Sequence, residues 1–237
     1  MTFATSVRRT LAAGLLATGV AAALGAPMAN AASVADRVTL QSLLGGPGAL
    51  ENFELFNPGI TGASVLDCAL LTSASTCQGQ GPGLVQPGLT FSGAGSLQWN
   101  DAAYYGAPSR ELLSNGAALN IDFASPVTAA GFDLRAFAGY AATASIEIYA
   151  SDDTTQIGSI PTIVLANDGF PVFAGWQDAA GIGRIVVSQP QYGWSPMIDN
   201  LEYRAAATAT PEPASAALLG AGIALAAWRR RRPLRAG

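Results

Sequence analysis

The stretch SIEIYASDDTTQIGSI, residues 145–160, decides the fold class. Ile146, Ile148 and Ala150 fall on one side of an extended chain and Ser145, Glu147 and Tyr149 on the other, the period-two alternation of a half-buried strand. Asp152 and Asp153 open a turn, two acids before a Thr pair with no calcium-loop spacing, and Gln156–Ile160 starts the next strand. Outward from there the same pattern recurs: short apolar or alternating runs broken by Gly, Pro, Asn and Asp. It predicts further strands at Leu50–Phe56, Leu89–Ser92, Ser96–Trp99, Leu119–Phe123, Ala130–Phe137, Val172–Trp176, Ile182–Val187 and Met197–Tyr203. Helix is scarce, with room for a turn or two at Ala102–Tyr105 and Pro108–Ser114, and the Gly-rich stretch Gly79–Gly88 is a loop. Strands at this spacing with no long helix between them predict an all-β fold, an antiparallel two-sheet β-sandwich with jelly-roll topology.

The two ends read differently. Arg8 and Arg9 precede an apolar stretch, Leu11–Leu24, and Ala29-Asn30-Ala31 supplies a small-x-small cleavage pattern, so residues 1–32 are expected to be a signal peptide cut after Ala31 or Ala32 by signal peptidase. The sandwich domain is expected to span 33–204, and the featureless segment 205–210 to be a linker. At the other end, Pro211-Glu212-Pro213 is followed by an apolar run, 214–228, and then by Arg229, Arg230, Arg231 and Arg232. The prolines fix their own φ and remove two backbone donors, which keeps the site extended and open to an enzyme. The run is short of the roughly 20 residues of a comfortable membrane span. The arginines place its far end in the cytoplasm and stop transfer. A permanent tail anchor would share the apolar and basic parts, but Pro-Glu-Pro adds a third. With it, residues 211–237 resemble a PEP-CTERM sorting signal. The resemblance implies export, transient membrane anchoring through this segment only, and processing by exosortase in Gram-negative bacteria that make extracellular polysaccharide. The same tail occurs on ice-binding proteins, so it specifies the route and not the activity of the domain it carries.

Between the two ends, five arginines (Arg37, Arg110, Arg135, Arg184 and Arg204) stand against every acid of the chain except Glu212, so the exported part is far more acidic than the whole-chain charge of −4 suggests. Such a surface disfavours nucleic acid and polyanionic polysaccharide. The chain has no His, and all its basic residues are Arg. Ser-His-Asp hydrolysis, His-based zinc sites, Schiff-base chemistry and the P-loop lysine are therefore excluded for this chain alone. Cys68 and Cys77, nine positions apart in an exported chain, are expected to form a local disulfide, with a reactive pair or an intermolecular bridge as the alternatives.

A second resemblance rests on Ala49–Phe56, Gly131–Phe137 with Ile146–Asp153, Phe173–Trp176 with Gly183–Val187, and Met197–Tyr203. These segments look like a galactose-binding-like jelly-roll. No cofactor is required, but the resemblance implies a structural Ca2+ shared between the first and last strands, with Glu54 and Asp199 as its carboxylates. Aromatic residues in loop-like stretches, Trp99 with Tyr104 and Tyr105, and Tyr192 with Trp194, are candidates for stacking on sugar rings, the last pair foremost. Asp122, Asp133 and Glu147 sit at ordinary strand positions with no accompanying signature, so catalysis is not expected. The reading is a secreted, non-enzymatic surface protein acting as a structural or adhesive component of the extracellular polysaccharide matrix. A dedicated carbohydrate-binding or ice-binding module is the first alternative, although no regular Thr array supports ice, and a carboxylate-dependent hydrolase is the second.

Overall fold

A computed structural model describes residues 31–56 and 62–205. The signal peptide, the linker and the sorting tail with its apolar segment 214–228 lie outside the described residues. Every strand pairing is antiparallel. The strands are β1 (Ala32–Val34), β2 (Ala49–Glu51), β3 (Ala63–Val65), β4 (Leu71–Thr72), β5 (Leu89–Gly93), β6 (Leu97–Asn100), β7 (Glu111–Ser114), β8 (Ala118–Arg135), β9 (Ala142–Ala150), β10 (Gln156–Leu165), β11 (Val172–Ser188) and β12 (Met197–Ala205). The main path across them runs β10-β9-β11-β8-β12-β7-β6-β3.

β8 and β11 organise the molecule. The sequence predicts two strands in each of these regions, whereas each is one long strand that bends. The bend lies where the register between them slips, around Gln177–Arg184, opposite Ala124–Pro126. There Gly181 adopts φ +104, and a Cβ on it would meet Pro126 Cβ at 2.7 Å, so only glycine lets the strands cross this corner. Pro126 and Gly181, chain breakers by residue type, mark a bulge here and not the end of a strand. Below the bend β8 pairs with β5, and β11 with β9; above it β8 pairs with β12, and β11 with β1. The two halves face each other as the two layers of the β-sandwich. Phe132, Ala174 and Trp176 of one layer meet Ile146, Ile148 and Ile185 of the other. β2 pairs with β12, so an early strand and the last strand of the described domain meet, as the jelly-roll reading expects.

Other elements differ from expectation for identifiable reasons. Pro108–Ser114 is not helical: β7 lies between β6 and β12 and is buried along its whole length, which erases the alternation that marks a strand. Leu50–Phe56 is strand only to Glu51. The Glu51 carboxylate then accepts from the backbone N–H of Phe53 at 2.7 Å and of Gln86 at 2.6 Å, closing a turn with Phe53 at φ 55 that drops Phe53 and Phe56 into the core. β10 continues past Ile160 through Pro161, which an edge strand tolerates because its outer N–H groups need no partner. A helix not read from the sequence, α1 (Arg37–Leu44), is capped by Asp36, whose Oδ1 accepts from the Thr39 N–H at 2.8 Å, and ends at Gly45 in the left-handed region. It buries Leu40 and Leu44 in a satellite cluster with Val34, Ala129 and Phe173.

Candidate functional site

Four connections meet at one end of the sandwich: 101–110 between β6 and β7, 136–141 between β8 and β9, 166–171 between β10 and β11, and 189–196 between β11 and β12. They are tied to one another. The Ala138 N–H donates to Tyr105 O at 3.2 Å, the Gly139 N–H to Asn167 O at 2.7 Å, and Tyr192 Oη–H to Ala141 O at 3.0 Å. The first connection contains a 3-10 turn, Tyr104–Gly106, in which Ala103 (φ 69) and Tyr105 (φ 46) both take left-handed backbone.

These loops gather six aromatic rings. Tyr192 and Trp194 stack with centroids 4.8 Å apart and planes 4° from parallel. Tyr140 stands edge-on to both, at 5.8 and 5.9 Å. Phe137 is the hub: it contacts Trp194 at 5.6 Å, Tyr105 at 5.1 Å, Tyr104 at 6.1 Å and Tyr140 at 6.5 Å. Edge-to-face and offset-parallel arrangements of this kind are mutually attractive, so the rings form a preset surface rather than loose side chains. Tyr105 and Tyr140 remain 50 % and 41 % exposed. A pocket of about 240 Å³ opens among Tyr104, Tyr105, Phe137, Tyr140 and Trp194, with Leu113 and two amides, Gln98 and Asn115, completing its wall. Every side chain lining it is uncharged.

The expected pair Tyr192 and Trp194 thus stands in one cluster, but the two rings cover each other, and only Trp194 lines the pocket. Tyr104 and Tyr105 line it as well. Trp99 does not belong there: at 2 % exposure it packs in the core against Phe53 at 5.5 Å and Phe56 at 4.6 Å, because it lies on the inward face of β6. The sequence reading does not single out Phe137, Tyr140, Gln98 or Asn115; the Phe137–Tyr140 loop after a strand is the one local signal for the two rings, and the amides have none.

The carboxylates are engaged elsewhere. Glu54 accepts from the Arg110 N–H at 3.0 Å, and the Arg110 guanidinium lies 3.6 Å from its other oxygen. Asp199, 4 % exposed, accepts from Ser109 Oγ–H, from the Asn200 N–H at 2.6 Å and from Asn200 Nδ2 at 3.0 Å. Burial, reinforced by the charges of Asp133 and Glu54, pushes Asp199 up to about 6. This pair does not fit a calcium ion: a guanidinium already neutralises Glu54, the oxygens of Asp199 are taken by donors, and among the described residues no third Asp, Glu or Cys completes a ligand set. Asp122 pairs with Arg184, Asp133 with Arg37 at 3.0 Å, and Glu147 accepts from Tyr149 Oη at 2.7 Å, all away from the pocket. Asp152 caps the β9–β10 turn by accepting from the Thr155 side chain and the N–H groups of Thr154 and Thr155, which hold it down at about 2. Cys68 and Cys77 form the expected disulfide, closing a loop that contains β4.

The described residues are therefore an acidic, disulfide-bonded β-sandwich carrying an uncharged aromatic pocket at one end. Residues 209–232 match the PEP-CTERM protein-sorting motif, which includes Pro211, Glu212, Pro213 and Arg229–Arg232. The protein is accordingly exported, held transiently in the membrane and processed by exosortase, then placed at the cell surface or outside the cell. No curated protein matches the chain. Among solved structures, a mutant of a family 29 carbohydrate-binding module is similar at 16 % identity over 48 % of this chain and 75 % of that one, with a TM-score of 0.18, too low to bear on fold or ligand. Among the described residues no helix is long and apolar enough to cross a membrane.

Proposed function

We propose that this exported domain is a non-catalytic, adhesive component of the cell surface or its polysaccharide matrix, and that it holds neutral glycan in the aromatic pocket. The observation that carries the reading is a wall of five aromatic rings and two amides, free of charge, in a domain whose surface is otherwise acidic. Ring faces bury the apolar C–H faces of a sugar, and amides exchange hydrogen bonds with its hydroxyls. At about 240 Å³ the pocket is smaller than the roughly 300–1,000 Å³ of drug-sized sites, which suits a single sugar ring, such as a branch residue, better than a length of backbone. The acidic surroundings disfavour uronic-acid polymers.

The test is an affinity series on the secreted protein with galactomannan, a neutral polymer bearing single-sugar branches, and alginate as the anionic contrast. Galactomannan should bind, alginate should not, and Trp194→Ala with Tyr140→Ala should weaken binding at least tenfold, about 1.4 kcal/mol, in a protein that still unfolds cooperatively well above the assay temperature. Preference for alginate, or galactomannan affinity indifferent to both substitutions, would refute the assignment. Release of reducing ends on incubation would move the domain to the hydrolases.

A further inference from the structure

Directly beneath the aromatic pocket lies a charge that the fold had every reason to avoid burying. Arg135, the last residue of β8, is 1 % exposed, and its partner Glu111, the first residue of β7, is 2 % exposed. Enclosed ion pairs commonly lose more in desolvation than they recover in attraction. The geometry shows what else this one does. Nε and Nη2 donate to the two oxygens of Glu111 in a bidentate pair. Nη2 also donates to Tyr104 O at 3.3 Å, and Nη1 to Tyr105 O at 3.2 Å and to Ala136 O at 3.2 Å. A guanidinium has five N–H groups, and here each has an acceptor.

Those acceptors belong to β7, to the loop that carries Tyr104 and Tyr105, and to the loop that carries Phe137. The tyrosine loop needs such a hold. Ala103 and Tyr105 are in left-handed backbone without being glycine, a state that persists only where the surroundings over-determine it. Within the loop the backbone bonds are Ala103 N–H to Ala107 O at 2.8 Å, Ala107 N–H to Tyr104 O at 3.0 Å, Tyr104 N–H to Asp101 O at 3.2 Å and Gly106 N–H to Ala103 O at 3.3 Å; Asp101 is tied to Gly62 and Arg110, and the Ala138 N–H reaches Tyr105 O, but among the described residues Arg135 is the one side chain that holds the carbonyls of both Tyr104 and Tyr105.

We infer that Arg135 is a positioning residue for the pocket: oriented by Glu111, it clamps the carbonyls of Tyr104 and Tyr105 and so sets the two rings against Phe137. The inference deepens the glycan-binding reading and rests on it for its purpose, but not for its geometry. A lysine keeps the charge yet has three donors on one atom and no planar fork, so it cannot hold two carbonyls and a carboxylate together.

Hydrogen exchange on the full secreted protein tests the clamp without any ligand. In the wild type the amides of Ala103, Gly106, Ala107 and Ala138 should exchange at least about a hundredfold slower than an unstructured chain, although the loop lies at the surface. In Arg135→Lys, and more mildly in Glu111→Gln, they should speed up at least tenfold while the amides of β9 and β11 keep their protection, and galactomannan affinity should fall at least tenfold. Loop amides unprotected in the wild type, or equally protected in a folded Arg135→Lys, overturn the clamp, as does undiminished galactomannan affinity with a loosened loop. If neither variant folds, the wild-type exchange rates decide alone. If the wild type takes up no galactomannan while the exchange results hold, the clamp stands and it is the glycan reading that fails.

Discussion

Asp199→Asn should make this domain more stable at neutral pH than at mildly acid pH, relative to wild type. The carboxyl of Asp199 is raised by burial from 3.8 to about 6. In the unfolded chain it ionises near its ordinary value, so between those two limits the folded state binds the extra proton. A group raised in this way contributes stability that is fully present below the unfolded pKa and is lost as pH climbs through the folded one. At 1.36 kcal/mol per unit, the wild type loses roughly 2 kcal/mol from this residue between pH 4.5 and 7.5. Glu51 and Glu111, also raised chiefly by burial, the latter to about 7, act in the same direction, and Glu202, lowered in the fold, acts the other way near the acid limit; all three are present in both proteins and cancel in the comparison. An asparagine does not titrate, and its oxygen can still accept from the Asn200 N–H. Urea unfolding of both proteins at the two pH values, in a chelator, measures the gap between them. It should widen by about 2 kcal/mol in favour of the mutant, about 4–8 °C in melting temperature for a domain of this size. A gap that stays constant to within about 0.5 kcal/mol would show that Asp199 is ionised in the fold at both pH values, and the electrostatic account of this cluster would be wrong.

Three further outcomes are expected. Reducing the Cys68–Cys77 bridge should cost about 2.5 kcal/mol, the chain-entropy value for a loop of this length, read as a lower urea midpoint; Leu71 and Thr72 pair with β5 in any case, so no loss of strand signal should accompany it before unfolding. Trp99→Ala should destabilise by about 3–5 kcal/mol through the void left against Phe53 and Phe56, whereas Trp194→Ala should cost well under half of that in the same assay. Millimolar calcium should leave the melting temperature within about 1 °C, since an ion held by Glu54 and Asp199 in the folded state alone would raise it.

How much of this was legible depended on which faces a segment buries. β9 is solvated on one face, and its alternation is plain in Ser145–Ala150. β7 is enclosed on both faces and reads as nothing in particular. In β8 and β11 the breakers were visible, but whether Pro126 and Gly181 end a strand or bend it depends on each lying against the other, a contact across more than fifty positions of sequence. α1 had its signals in the open, Asp36 three residues before Thr39 and Gly45 at its end, but eight residues are too few for periodicity to stand out. For the site, residue type pointed to Tyr192, Trp194, Tyr104 and Tyr105, and only tertiary structure could join them to Phe137 and Tyr140 or send Trp99 inward. Arg135 offers the subtlest clue, one cation alternating with Asp133 along the strand Gly131–Phe137, where an exposed residue and a buried clamp look alike in sequence.

The register of the sheet also relates the site to the two ends of the described domain. Ala32 of β1 lies opposite Gln177 of β11, Gln177 opposite Ala129 of β8, and Ala129 opposite Arg204 of β12. Four neighbouring strands therefore place the two ends of the described domain side by side, within about 15 Å at the usual strand spacing. In sequence, residues 1–30 precede that row and the sorting motif follows it. The aromatic loops are attached at the opposite limit of the same strands, where Arg135 pairs with Met197, six residues and about 20 Å along β8. The pocket thus lies at the end of the sandwich opposite the one where the described domain begins and ends.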